Sequence, residues 1–508
     1  MKIAISYPPL LSSKGTPTLA QNRQFQYFKA PTFIYPVVPA QAATLLAEAG
    51  HEVIWLDCVA EGISYAAFKE IILKERPDLI AFETKTPVVK QHWKIIDDLK
   101  NKTGPSQQGV SPRIALFGDH VTALPEESFA NCGVDFVLTG GDYDSLLLHL
   151  CDCLEKYLKR GAGGYGFTQP GIYYRQDHSI KNTGSFKLTQ DLDALPFIDR
   201  DLTKWRLYSQ ENGNYKNTPG TYIMSGRDCW YHSCAFCSWT TLYPDFRVRS
   251  VSNVLAEIEA LTNKYGVREI MDDTGCFPRG DWLREFCLGL VKQDNRKRGV
   301  YFDCNARFGS LKKEDFLLMK KANFRLLLFG LESANQNTLD RLKKGVKVES
   351  IIEDCKEATM SGLYPHITIM FGYPWETYED ASKTLRLGSW LLKKGYAYTM
   401  QATLVIPYPG TPLFEECRRS GLLRSLDWDD YDMKQPIMRS KIDDARLLDM
   451  VQGMYKVSFN PEFIMRKITS IRDFNDLKYY LRAARKAAAH IFDFKHKNAA
   501  YETQVFCK

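Results

Sequence analysis

Three cysteines stand within nine residues, Cys229, Cys234 and Cys237, in a stretch bounded by Arg227 and Trp239. The Cys-x4-Cys-x2-Cys spacing offers three thiolates to a metal centre and no local fourth donor, which leaves one coordination position open for chemistry. Closely spaced thiolates hold iron–sulfur clusters, whereas a structural zinc site closes with four protein ligands. No second Cys-x2-Cys or His pair lies nearby to complete a zinc knuckle. The competing reading is three reduced, buried thiols in a loop, and the polar flanks and tight spacing argue against it.

The elements that position this triplet follow from periodicity. Over the first 150 residues, apolar runs at 2–7, 51–57, 79–83, 113–117 and 136–139 alternate with helical patterns at 40–49, 65–75, 88–100 and 146–159. This alternation predicts a doubly wound, Rossmann-like parallel sheet, whose ligands sit beyond the carboxyl ends of the strands. Residues 161–220 turn Gly- and Pro-rich, with a hairpin pattern near 171–187, and read as a connector. Alternation resumes with strands expected at 222–225, 269–272, 301–305, 326–331, 366–371 and 398–404, and helices between them. Six such units predict a partial (β/α)6 barrel of the TIM type, with the triplet on its working carboxyl edge. The expected division is 1–160, a 161–220 linker, a 221–415 barrel and a small, mainly helical 416–508 region.

Composition narrows the function. A net charge of +7 over 508 residues, with acids and bases interleaved, gives no reason to expect nucleic acid. The N-terminal apolar run is too short for a signal peptide, and no run reaches the roughly 20 apolar residues of a membrane span. Thirteen cysteines, mostly scattered, fit a reducing cytoplasm better than a disulfide framework. From 478 to 497, Leu477, Leu481, Ala484, Ala488 and Phe492 recur at helical spacing among Lys478, Arg482, Arg485, Lys486, Lys495 and Lys497. Such a helix either docks on the body with its basic face solvated, the favoured reading, or lies on an anionic membrane.

Beside the triplet, with Phe236 before its last cysteine, stand motifs at successive strand ends: 270–275 with Asp272 and Asp273, 329–333 ending in Glu332 and Ser333, 371–377 with Gly372, and 407–412. In that order they make the chain resemble the radical S-adenosylmethionine (SAM) enzymes that carry an N-terminal cobalamin-binding domain, the class B methyltransferase-like group, over nearly its whole length. The resemblance implies a [4Fe-4S] cluster on Cys229, Cys234 and Cys237, with SAM chelating the remaining iron. The family's usual spacing is Cys-x3-Cys-x2-Cys, so the extra residue here requires the loop to bulge.

By the same resemblance, Asp272 or Asp273 holds the SAM ammonium, Arg307 its carboxylate, and Glu332 and Ser333 its ribose or methionine. Trp239 and Gly372 lie against the adenine, and Phe236 is a further SAM contact. Alternatives stay open: the two aspartates as loop caps, Gly372 as a turn glycine, Trp239 as core. In the first domain, Thr84, Thr86, Gly118, His120, Val121, Thr122, Gly140 and Gly141 would receive cobalamin, or the fold has lost that ligand. The Asp-x-His-x-x-Gly motif is absent, so a lower axial histidine from it is not expected. The implied activity is reductive SAM cleavage to a 5′-deoxyadenosyl radical and methylation of an unactivated carbon in a small-molecule or lipid substrate, with a flavodoxin or ferredoxin as electron donor. Competing readings are a radical cyclisation, rearrangement or carbon–carbon coupling without methyl transfer, and a noncatalytic iron–sulfur sensor. Cys276, Cys304 and Cys355 read as buried thiols. The clusters at 428–432 and 459–463 either pack a helical cap, as expected, or line the substrate cavity.

Overall fold

The computed structural model describes residues 1–10, 12–19, 26–102, 112–160, 164–176 and 179–493. Strands β1 (Lys2–Tyr7), β4 (Glu52–Asp57), β5 (Leu79–Glu83), β6 (Arg113–Phe117) and β7 (Phe136–Leu138) pair in parallel in the order β4-β1-β5-β6-β7. All five positions of β5 are buried, as a strand covered by helices on both faces requires. Strand order reverses between β1 and β5, and that switch point opens a crevice beyond their carboxyl ends. Two departures from the sequence reading bear on function. A hairpin, β2 (Thr16–Thr18) with β3 (Gln26–Phe28), leaves the sheet towards the second domain. The hairpin expected near 171–187 forms as β8 (Ile172–Gln176) with β9 (Ser179–Asn182), and the departure is that it extends the first sheet antiparallel to β7 instead of lying in a connector.

The second domain begins at β10 (Gly220–Ile223) and a short pair, β11 (Gly226–Arg227) with β12 (Arg247–Val248). It continues through β13 (Glu269–Asp272), β14 (Tyr301–Ala306), β15 (Phe324–Glu332), β16 (Tyr364–Phe371) and β17 (Thr399–Leu404). These six main strands lie side by side in sequence order and all parallel, an open half-barrel. Its helices carry local stop and start signals. Thr377 and Asp380 form a capping box at the head of Tyr378–Lys394, and Gly395 ends that helix in the left-handed region. Along β16, half-buried Tyr364, His366 and Thr368 alternate with buried Pro365, Ile367 and Ile369. In a closed barrel the inward face is packed solid. Here it stays accessible and forms a trough.

The domains lock together beside the triplet. Arg227, 5% exposed, donates from Nη1 to Asp142 at 2.7 Å and Asp144 at 3.1 Å, and from Nη2 to Asp144 at 2.5 Å. Asp142 also accepts from both terminal nitrogens of Arg247 at 2.7 Å. Beyond β17, residues 406–437 pack on the first domain, where Trp428 meets His120 at a centroid distance of 5.2 Å. The 428–432 cluster therefore packs, as expected. Helices Asp444–Val457, Pro461–Thr469 and Phe474–Asp493 close the amino end of the half-barrel. The last docks through Arg482 on the Gln210 and Tyr215 carbonyls. Lys495, Lys497 and the Phe492 side chain lie outside the described residues. Among the described residues no helix is long and apolar enough to cross a membrane.

Candidate active site

The triplet leaves the end of β10 on a loop with two left-handed residues, Asp228 (φ 82°) and His232 (φ 53°). His232 lies between the first two cysteines, and its Nδ1 is 2.6 Å from Asp228 Oδ2. This is the bulge the longer spacing demands. Trp230 donates to the Phe277 carbonyl at 3.1 Å and Tyr231 to that of Lys343 at 2.9 Å, which ties the loop to the segments that follow β13 and β15. The Ala235 N–H donates to the Leu342 carbonyl at 2.9 Å.

The three thiols sense one another electrostatically. A hydrogen bond from the Cys276 thiol is the largest influence on Cys229 and lowers it to about 6. Burial raises Cys234 and pushes Cys237 up to about 12. Iron binding would displace those protons, because only thiolates ligate. Among the described residues no group of three or more His, Cys, Asp or Glu closes to single-ion spacing. It is the donor chemistry, three thiols beside a cation and no fourth ligand from the loop, that fits a cluster. Cys276 backs Cys229 as a hydrogen-bond donor, and hydrogen bonds to ligating sulfurs tune cluster potential. Cys304 and Cys355 are fully buried core thiols.

Around the triplet the expected residues divide. Glu332, at a bulge in β15 and in the left-handed region (φ 62°), holds Lys344 Nζ at 2.9 Å. Lys344 also stands 5.5 Å from the Phe236 ring centroid, and Glu332 and Cys234 raise its pKa against the effect of burial. A Cβ at Gly330 would lie 2.2 Å from Glu332 Oε1, so a larger residue there would push that carboxylate from its present place. Arg307 stacks 3.6 Å from the Tyr231 centroid, and its Nη2 donates to the Lys344 and Gly345 carbonyls. Its Nη1 is buried without a hydrogen-bond partner, which leaves one guanidinium donor beside the triplet unsatisfied. Asp272 caps its own strand end instead, accepting from Ser225 N–H at 3.1 Å, the Ser225 hydroxyl and Thr274 N–H at 3.0 Å. Asp273 is buried beside it. Ser333 donates to Glu376 at 2.7 Å, away from the site. Gly372 has φ 102° and no atom within 3.7 Å of a built Cβ, so a turn rather than a close approach calls for glycine. Trp239 is core, 4.8 Å from Tyr243, although its indole N–H lacks a partner. Lys344 and Cys276 are the contributors that sequence spacing did not point to.

In the first domain most of the expected cobalamin residues are engaged internally. His120 is buried between Thr86 Oγ1 (3.2 Å) and Glu127 Oε2 (2.9 Å), under Trp428. Thr122 donates to the Gly118 carbonyl at 2.7 Å and accepts from Gly140 N–H at 3.1 Å, and Val121 is core. A Cβ on Gly118 would meet the Thr84 carbonyl at 2.3 Å, one on Gly140 the Phe186 ring at 2.5 Å, and one on Gly141 the Tyr243 ring at 2.1 Å. These glycines admit neighbouring chain rather than a ligand. Thr84 differs. Its Oγ1 and Ser6 Oγ, at the ends of β5 and β1, are buried without hydrogen-bond partners at the switch point. Two orphaned hydroxyls in the crevice where such sheets bind ligands fit a cofactor with polar edges.

The Radical SAM superfamily profile matches residues 223–388. The chain is 26% identical over 410 residues to an uncharacterized methyltransferase of Pyrococcus horikoshii, covering 80% of this chain and 83% of that protein. It is 25% identical over 428 residues to the anaerobic magnesium-protoporphyrin IX monomethyl ester cyclase of Cereibacter sphaeroides, covering 81% of this chain and 64% of that protein. In fold it is similar to the cobalamin-dependent S-adenosylmethionine radical enzyme OxsB, with a TM-score of 0.67 at 16% identity over 96% of this chain and 71% of that one. Residues 223–388 thus match the radical SAM domain, and the chain shares the fold of the cobalamin-dependent radical SAM enzyme OxsB.

Proposed function

We propose that the protein is a cobalamin-dependent radical SAM methyltransferase acting on an unactivated carbon of a small molecule or lipid. The observation that carries this reading is the Cys229–Cys234–Cys237 loop at the carboxyl edge of an open half-barrel, with an unpartnered Arg307 Nη1 beside it. When bound, a [4Fe-4S] cluster and SAM supply one-electron cleavage of a sulfonium, and cobalamin supplies a transferable methyl group. The chain's own residues bind and orient. The three cysteines hold the cluster, and the Cys276 thiol keeps Cys229 in its thiolate form. Arg307 Nη1 receives the SAM carboxylate in a charge-assisted hydrogen bond. Glu332, fixed by Lys344, presents a carboxylate oxygen to the ribose or the ammonium, and Phe236 covers the site from water. Thr84 and Ser6 donate to the corrinoid at the switch point. A flavodoxin or ferredoxin delivers the electron.

The test is anaerobic reconstitution with iron, sulfide and cobalamin, followed by dithionite and methyl-labelled SAM. The expected result is stoichiometric iron and corrinoid, 5′-deoxyadenosine, and label in the substrate. Zinc at the triplet, or turnover that survives replacement of all three cysteines by alanine, refutes it. The cyclase among the relatives favours a second reading, ring closure without methyl transfer. That reading predicts 5′-deoxyadenosine with no label in the product.

A further inference from the structure

The trough of the half-barrel opens at its amino end into a cavity of about 540 Å³. That is within the roughly 300–1,000 Å³ of small-molecule sites. Barrel residues Leu326, Leu328 and Met400 form one wall, Phe28 of the β2–β3 hairpin another, and Phe463 and Tyr480 of the C-terminal helices a third. The lining is predominantly apolar, with no Asp or Glu, yet two lysines face it. Lys467 Nζ donates to the Tyr398 carbonyl at 2.9 Å and stands 3.3 Å from the Tyr398 ring centroid. Lys486 Nζ donates to the Pro31 carbonyl at 2.9 Å and Thr32 Oγ1 at 2.7 Å. Neither has a carboxylate within ion-pair distance among the described residues. The Tyr398 and Phe463 rings, 3.3 and 5.0 Å from Lys467 Nζ, offset part of the cost of an ammonium facing an apolar cavity, and a ligand anion would supply the missing counter-charge. Burial accordingly lowers the pKa of Lys467, and that of Lys486 to about 8.

The mouth is equally distinctive. Phe459, Ile464, Ile468, Leu477 and Leu481 border the cavity and remain exposed to solvent, Leu481 by 63%. Contiguous exposed apolar side chains mark a surface that meets something apolar. At the other end, β15 leads from Leu328 to Glu332, four residues and so about 13 Å at roughly 3.3 Å per residue.

We propose that this cavity takes an amphiphile, an apolar chain or ring system bearing a single carboxylate or phosphate, with the anion at Lys467 and the apolar body reaching up the trough. The proposal rests on the methyltransferase reading and names its substrate class. It places the reacting carbon on the apolar body, on the order of 13 Å beyond Leu328 along β15.

The test uses the full-length, anaerobically reconstituted protein and the displacement of a fluorescent polyene fatty acid by palmitate, deoxycholate and the methyl ester of each. At least one acid is expected to displace at about tenfold lower concentration than its ester, the size of one charge-assisted contact. Lys467→Met removes that preference and leaves the ester midpoint unchanged, which also reports an intact fold, whereas Lys467→Arg keeps it. Acids that bind no better than their esters, or a preference that survives Lys467→Met, overturn the proposal. Substrate-free 5′-deoxyadenosine formation is followed on the same samples. Its absence refutes the radical SAM reading while leaving the binding result standing, so the two failures are distinguishable. Flotation with phosphatidylglycerol vesicles, compared with Leu481→Asp, tells a membrane source of the amphiphile from a soluble one.

Discussion

Replacing Arg227 by methionine removes the cation that joins the domains two residues before the first cluster cysteine. Asp144, fully buried, then loses the one ion-pair partner it has among the described residues, whereas Asp142 keeps both contacts to Arg247. Breaking a buried pair from one side costs about 3–5 kcal/mol. The retained Arg247 contacts place this case near the lower end, about 3 kcal/mol. With a urea slope of about 3 kcal/mol per molar, the transition that separates the domains moves down by about 1 M. Tryptophan fluorescence follows it, with hydrogen exchange of residues 136–147 reporting the junction. Adding Asp144→Asn to Arg227→Met is expected to recover more than half the loss, because the uncompensated charge is gone. Salt should change neither value much, since the pair is shielded from solvent. A shift under about 0.3 M, or a double variant no better than the single one, refutes the assignment of Arg227 as the domain lock.

His92 is fully buried against Phe82 with neither ring nitrogen hydrogen-bonded, and burial lowers its pKa to about 3. Its stabilising contribution is complete above the ordinary value near 6.5 and is lost as pH falls towards 3. At pH 5 the loss is about 2 kcal/mol, so His92→Phe should flatten the acid limb of the stability profile by that amount while changing little at pH 8. Gly141→Ala forces a Cβ to within 2.1 Å of the Tyr243 ring and should cost about 1–3 kcal/mol, read as a lowered melting temperature with unchanged iron binding in the isolated fold. Arg307→Met should weaken SAM binding about tenfold or more with iron content retained, measured by equilibrium dialysis; unchanged SAM affinity would remove Arg307 from the site.

Much of the architecture was legible because it is written locally. Strand β5 announces itself as an unbroken buried run, the Thr377–Asp380 box starts its helix, and the triplet's spacing puts three thiols on one loop whatever the rest of the chain does. The β2–β3 hairpin escaped notice because its strands are three residues each and carry no alternation long enough to register. The aspartates after β13 show the limit at the site. A carboxylate at a strand end suits either a ligand or a cap, and the position of Ser225, two residues beyond the end of neighbouring β10, gives Asp272 to the cap.

The sequence by itself determined the chemistry on offer, three closely spaced thiols following a strand of a parallel α/β chain, since spacing and periodicity act over a few residues. Tertiary structure alone decided which groups surround that vertex and what the enzyme can hold. Lys344 meets Glu332, Arg227 meets Asp144 across 83 positions, and Lys467 and Lys486 come to face one cavity with Phe28 and Leu328. Such encounters depend on how whole elements pack. A lysine's fate, solvated on a helix or facing an apolar cavity, is set by what other elements place opposite it, which no local pattern encodes.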